Sequence, residues 1–160
     1  MRLLLIILAL AWAGLLVCIP SRPGNAATTT ERALSVACPG HEHLAPIVDA
    51  AARRHMVSRL TIVAQILCES RCRAGAIGRS GEVGLMQLHG VAANGLTLFE
   101  LVQPRHNIDT GARWLSLRER DCGGKVAGLS GYNSRTCTGG KRYARKVLST
   151  VEWMRKEIGK

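Results

Sequence analysis

The sequence predicts a mainly α-helical domain, and three observations carry that prediction. Apolar residues recur at i, i+3 and i+4 over most of the chain, good N-capping residues precede several of those stretches, and no segment alternates apolar and polar residues long enough to read as a strand. Neither an internal repeat nor a low-complexity tract interrupts this pattern. Within 160 residues it describes one small domain.

The elements follow in order. Arg2 precedes an apolar run from Leu3 to Val17, then Pro20 and the small residues Gly24-Asn25-Ala26-Ala27, so residues 1–26 read as a secretory signal. The run is shorter than the ~20 residues of a membrane-spanning helix, and no stable anchor is expected once the signal is cleaved. Val17 is bulkier than the small residue that precedes a lipidated cysteine, which argues against lipidation at Cys18. Residues 27–42 lack periodicity and read as a flexible segment, so the folded domain is expected over 43–160. Leu44, Ile47, Val48, Ala51 and Ala52 form the apolar side of a first helix, with Asp49, Arg53 and Arg54 opposite. Ser58 is placed to cap a second helix from Arg59 to about Ser70. Leu60, Ile62, Val63, Ala64, Ile66, Leu67 and Cys68 cover nearly its whole circumference, so this helix is expected to be buried on most sides.

Glycines at 75, 78, 81 and 84 then predict an irregular loop leading into a short helix at Leu85–His89. Thr97 and Glu100 form a capping-box pair ahead of Leu98, Phe99, Leu101 and Val102, with Pro104 expected to end that element. Asn107 is placed to cap a helix through Ile108, Ala112, Leu115 and Arg118. Val126–Tyr132 reads as a further helix kept slim by Gly128 and Gly131. A last helix from about Lys141 puts Tyr143, Val147, Val151, Met154 and Ile158 on one face.

Charge and cysteine content bear on address rather than fold. Lys and Arg number 22 against 11 Asp and Glu, a net charge of +11, and the chain after residue 26 keeps +9. An excess of this size favours an anionic partner. Arg135, Lys141, Arg142, Arg145 and Lys146 form a basic cluster, but six aromatic residues, an export signal and the lack of a nucleic-acid motif argue for a solvated face rather than a nucleic-acid site. Besides Cys18 there are five cysteines, and in an exported small domain several cysteines mean disulfides with one thiol left over. Cys68 and Cys72 are four apart at a helix end, too far for a bridge between them. The expected pairs are Cys38–Cys72 and Cys122–Cys137 with Cys68 free, a connectivity the sequence alone does not fix. His41-Glu42-His43 lacks metal-site spacing, and no second cysteine pair follows Cys68 and Cys72, so neither metal nor cofactor is expected.

Glu69 is the informative residue. It ends a helix too apolar for the surface, with no basic residue one turn earlier. Two readings stand on the pattern alone: a buried carboxyl with a raised pKa suited to a general acid, or a surface glutamate paired with Arg71 or Arg73. The neighbouring motifs bear on the choice. Glu69-Ser70, Gly84-Leu85-Met86-Gln87, Asn107-Ile108 with Gly111, Tyr132-Asn133 and Tyr143 to Val147 resemble, in order and spacing, the motifs of the lytic transglycosylases, lysozyme-like enzymes that cut peptidoglycan glycan strands. The likeness spans roughly residues 44 to 151. Gly131 departs from the usual Ala, and Ser134-Arg135 stand where the family often has a small residue and Gly, so the backbone after Asn133 is expected to differ.

The resemblance implies a lysozyme-like helical domain with a substrate cleft, acting as a monomer on peptidoglycan in the periplasm or cell envelope. It implies that Glu69 serves first as acid and then as base, giving a 1,6-anhydromuramoyl end. Ser70, Met86, Gln87, Tyr132 and Asn133 are implied substrate-site residues, with the Tyr132 hydroxyl orienting Glu69. The small size resembles members that serve secretion or conjugation machines. Two alternatives stay open: a hydrolase in which Glu82 approaches as a second carboxylate, and a non-catalytic basic wall-binding or assembly protein of the same fold.

Overall fold

The computed structural model describes residues 26–160, so the expected signal peptide lies outside the described residues except for Ala26. Seven α-helices form the described part: α1 Thr29–Ala37, α2 Ala45–His55, α3 Arg59–Ser70, α4 Leu98–Leu101, α5 Pro104–Asp121, α6 Lys125–Ser134 and α7 Lys141–Ile158. Short 3-10 turns occupy Glu42–Leu44 and Gly90–Ala93. Among the described residues, no helix is long and apolar enough to cross a membrane.

The segment expected to be flexible is instead ordered. Thr28 caps α1 through a reciprocal capping box with Glu31, and Ala33, Leu34 and Ala37 bury against α3 and α7. The Thr30 hydroxyl donates to Asp49 at 2.5 Å, and the Cys38–Cys72 disulfide ties the end of α1 to the end of α3. Nine residues with four apolar ones are too short to show a period, which is why tertiary contacts decide this element.

α3 is the centre of the domain. Ser58 accepts from the Thr61 amide at its start, and Arg71 closes it in the left-handed region at φ 53°. Ile62, Val63, Ala64 and Ile66 have no solvent exposure, because α1, α2 and α7 cover the helix. The expected face of α7 is also in place, with Val147, Val151 and Met154 buried.

Two expectations about the middle of the chain are corrected. No helix forms at Leu85–His89; Val83 bridges antiparallel to both Ile77 and Leu88, and residues 84–87 make a tight turn between the bridges. The short element does stop ahead of Pro104, at Leu101, but Pro104 also opens α5, where its missing N–H is harmless. Asn107 consequently lies inside α5, fully buried, and caps nothing. Its Oδ1 accepts from the Met86 amide at 2.7 Å, and its Nδ2 donates to the Val83 and Leu101 carbonyls at 2.9 and 2.8 Å. Gly84, at φ +81°, is required there: a Cβ would fall 2.2 Å from Asn107 Nδ2 and 2.4 Å from the Leu101 oxygen.

One asparagine thus ties the turn to α4 and α5. Asn107→Ala leaves the Met86 amide and the Leu101 carbonyl without partners, while the Val83 carbonyl keeps the Leu88 amide, and a loss of about 2 kcal/mol or more is expected from the ~1–3 kcal/mol each orphaned group costs. Urea denaturation at neutral pH measures it; a loss below about 1 kcal/mol would show that water replaces the amide.

Candidate active site

The last turn of α3 opens onto a groove of about 840 Å³. Glu69 lies in it with Glu82, Gln87, Trp114, Arg118, Tyr132, Asn133 and Arg135. The groove is bounded by the turn at 87–92 and by α5 and α6, so the sequence-distant motifs converge on one surface.

Glu69 is half-buried and forms no ion pair among the described residues; Arg71 is exposed, and Arg73 Nε donates to the Ser70 carbonyl instead. The surface-glutamate reading therefore fails. The Tyr143 hydroxyl donates to Glu69 Oε1 at 2.5 Å, and Gln65 Nε2 donates to the same hydroxyl at 3.2 Å. Burial pushes the Glu69 carboxyl up to about 7, against the opposing effects of the Tyr143 hydrogen bond and the Lys146 charge; Glu82 adds a smaller upward push. A carboxyl poised there is half protonated near neutral pH, the state a general acid requires.

The remaining predicted residues divide. Gln87 and Asn133 line the groove. Gln87 is held in the left-handed region at φ 46°, with Nε2 donating to the Ala76 and Gly84 carbonyls at 3.2 and 3.0 Å. Tyr132 also lines the groove, but its hydroxyl donates to the Met86 carbonyl at 2.8 Å, not to Glu69. The tyrosine bonded to the acid is Tyr143, whose ring stacks on Tyr132 with centroids 6.3 Å apart. Met86 is fully buried and Ser70 is 2% exposed, so neither reaches the groove as a substrate contact. Met86 packs on Gly111, where a Cβ would fall 2.4 Å from its sulfur. The Ser70 hydroxyl donates to the Ile66 carbonyl and finishes the helix.

Sequence reasoning missed Tyr143, Gln65, Trp114 and Arg118. Tyr143 read as the start of a family motif and as a member of an apolar face, without a role at the acid, although a buried tyrosine hydroxyl demands a partner. Gln65 was the legible signal passed over: an amide one turn before Glu69 in an otherwise apolar helix. Arg118 stacks over Trp114 at 5.5 Å and donates to the Arg135 carbonyl at 3.1 Å, joining α5 to the groove wall. That contact explains the glycine at 131, because a Cβ there would come within 2.9 Å of the Arg118 guanidinium and of Cys122 Sγ. Arg135 itself takes the left-handed conformation at φ 65°, the conformation expected of the glycine it replaces. Both expected disulfides are present, Cys38–Cys72 and Cys122–Cys137, and Cys68 is free. Asp109 lies apart from the groove and pairs with Arg54 and His55. Among the described residues no group of three or more His, Cys, Asp and Glu side chains is placed to hold a metal.

A buried acid at the end of a central helix, opening on a long groove between helices, defines a lysozyme-like domain. Residues 46–150 match the family described as the Transglycosylase SLT domain, and the chain belongs to that family. Among solved structures, it is similar to an inactive glutamate-to-glutamine mutant of the lytic transglycosylase Slt from Pseudomonas aeruginosa. The identity is 19%, the TM-score is 0.65, and the match covers 79% of this chain. It spans 26% of the length of that enzyme, so the likeness is one of fold. No curated protein matches the chain.

The raised carboxyl has a consequence for stability. From the ordinary value of 4.5 up to about 7, the unfolded chain gives up this proton before the folded one, so the contribution of Glu69 is full below that range and is lost as pH rises through it. Glu69→Gln removes this dependence. The variant is expected to gain on the wild type from pH 5 to pH 8 by up to about 2.5 kcal/mol, read from denaturant midpoints. A constant difference across that range would contradict the burial of the acid.

Proposed function

We propose that this protein is a peptidoglycan lytic transglycosylase, and the observation that carries the reading is Glu69, a single carboxyl held near neutrality on the floor of a saccharide-sized groove. Glu69 gives its proton to the oxygen of the β-1,4 bond between N-acetylmuramic acid and N-acetylglucosamine. The bond to C1 breaks, and N-acetylglucosamine leaves as the free 4-alcohol. The resulting carboxylate then takes the proton from the muramoyl C6 hydroxyl, whose oxygen closes onto C1. The product is a 1,6-anhydro end, no water is consumed, and Glu69 is again protonated. Gln87 and Asn133 are the proposed sugar contacts, and Trp114 offers a flat apolar face for a pyranose ring. The inactivated neighbour carries a glutamate-to-glutamine change, which supports a catalytic glutamate in this fold. The proposed setting is the cell envelope, where disulfides persist. There the chain would act as a monomer on glycan strands, opening the wall locally for a secretion or conjugation apparatus.

Glu82 supports a second reading. It lines the same groove, and backbone amides, its own foremost and then that of Ser80 at 3.0 Å, hold its carboxyl below the usual range, so it is ionised. A hydrolase would use such a group to guide water to C1.

Mass spectrometry of muropeptides released from purified wall separates the two readings: anhydro ends, lighter by one water than reducing ends, are expected, and reducing ends alone would assign hydrolysis. Glu69→Gln is expected to lower turnover on the order of 10³-fold while circular dichroism stays unchanged. Glu82→Gln is expected to stay within about tenfold of wild type, well short of the loss that removal of an essential acid–base group brings. Wall clearing by Glu69→Gln at the wild-type rate would refute Glu69 as the acid, and no clearing by the wild type would leave the wall-binding or assembly role.

A further inference from the structure

Gln65 lies one turn before Glu69 on α3, has no solvent exposure, and stands among Ile62, Val63, Ala64 and Ile66. Its Nε2 donates to the Tyr143 hydroxyl, but its Oε1 is buried with no partner. An unpartnered buried carbonyl oxygen destabilises a fold, and a methionine or leucine of similar volume would avoid it. Packing therefore does not explain an amide at this position, whereas its contact does. The Tyr143 oxygen faces both Gln65 and Glu69 and carries one proton. If the amide oxygen faced Tyr143, Gln65 and Glu69 would compete for that proton. With the amide N–H there, the tyrosine oxygen is occupied as an acceptor and its proton is directed at Glu69 Oε1.

We propose that Gln65 is a positioning residue which, through the Tyr143 hydroxyl, fixes the hydrogen bond received by Glu69 and so sets where that acid exchanges its proton. This rests on the reading of Glu69 as the reacting acid. The groups acting on Glu69 are Cys68 from its own helix, Tyr143 and Lys146 from α7, Tyr132 from α6 and Glu82 from the glycine-rich loop. None but Tyr143 is bonded to Gln65, so a change at Gln65 reaches the acid by one route.

The test is a titration of the Glu69 carboxyl by carbon NMR in the full chain, comparing wild type, Gln65→Met, Tyr143→Phe and the double variant, with Gln65→Leu as a second apolar replacement. Losing the Tyr143 donor withdraws support from the carboxylate, so the Glu69 midpoint moves upward in Tyr143→Phe. It is expected to move upward by less in Gln65→Met, and no further in the double variant than in Tyr143→Phe alone. Denaturant midpoints of Gln65→Met are expected to equal or exceed the wild type, while wall turnover falls on the order of tenfold through misdirection of the acid. An unmoved Glu69 midpoint in both Gln65 variants overturns the proposal. So does an equal shift from Gln65→Met with and without the Tyr143 hydroxyl. The titration needs no turnover: midpoints moving as expected in a protein that leaves wall intact would refute the transglycosylase reading and keep the relay.

Discussion

The structure depends on a carboxyl group kept from water at the carbonyl end of an apolar helix. Its ionisation is opposed first by desolvation, then by the Glu82 charge, and by a last turn of α3 that presents the negative end of the helix dipole with no basic residue in it. The Tyr143 hydroxyl supplies the main counterweight. Other features follow from holding this balance. α3 must be enclosed by α1, α2 and α7 to stay dry, yet its final turn must open where a substrate can enter. The second requirement falls to the loop at 83–88, which Asn107 fastens to α5.

Local chemistry was legible wherever a residue acts on its own neighbourhood. The Ser58 cap, the Thr97–Glu100 box and the apolar circumference of α3 all read correctly, because each involves residues within a few positions of one another. A helix end ruled against a Cys68–Cys72 pair, but the sequence left the connectivity open, and the fold supplies Cys38–Cys72 and Cys122–Cys137. The family motifs brought Glu69, Gln87 and Asn133 to one groove. What the sequence hid were side chains working across the fold. Asn107 sits at a plausible cap position, but Pro104 starts the helix earlier and turns the amide inward. Tyr132 and Tyr143 stack together, and nothing in the order of residues says which hydroxyl meets the acid. Met86 and Ser70 belong to motifs that suggest contact, yet they support the groove from behind.

The far wall of the groove is a separate construction on α5 and α6. Trp114 and Arg118 lie one turn apart on α5, and the guanidinium crosses to the Arg135 carbonyl where α6 ends. Gly131 leaves it room to pass. The departures from the family pattern at 131 and 135 are thus one adaptation: an arginine strut occupies the space, and the helix end reshapes around it. Arg118 Nε remains buried without a partner, so the strut carries a polar cost in exchange for its stacking and carbonyl contacts.

The Cys122–Cys137 bridge spans the same corner, closing a loop of 15 positions that contains all of α6. The bridge restricts the unfolded chain and adds a covalent tie to the packing of α6 on α5 and α7, and so to Tyr132, Asn133 and Arg135. Oxidation therefore completes this wall of the groove: a chain with thiols at both positions keeps the packing of α6 but lacks the covalent frame around the residues it carries.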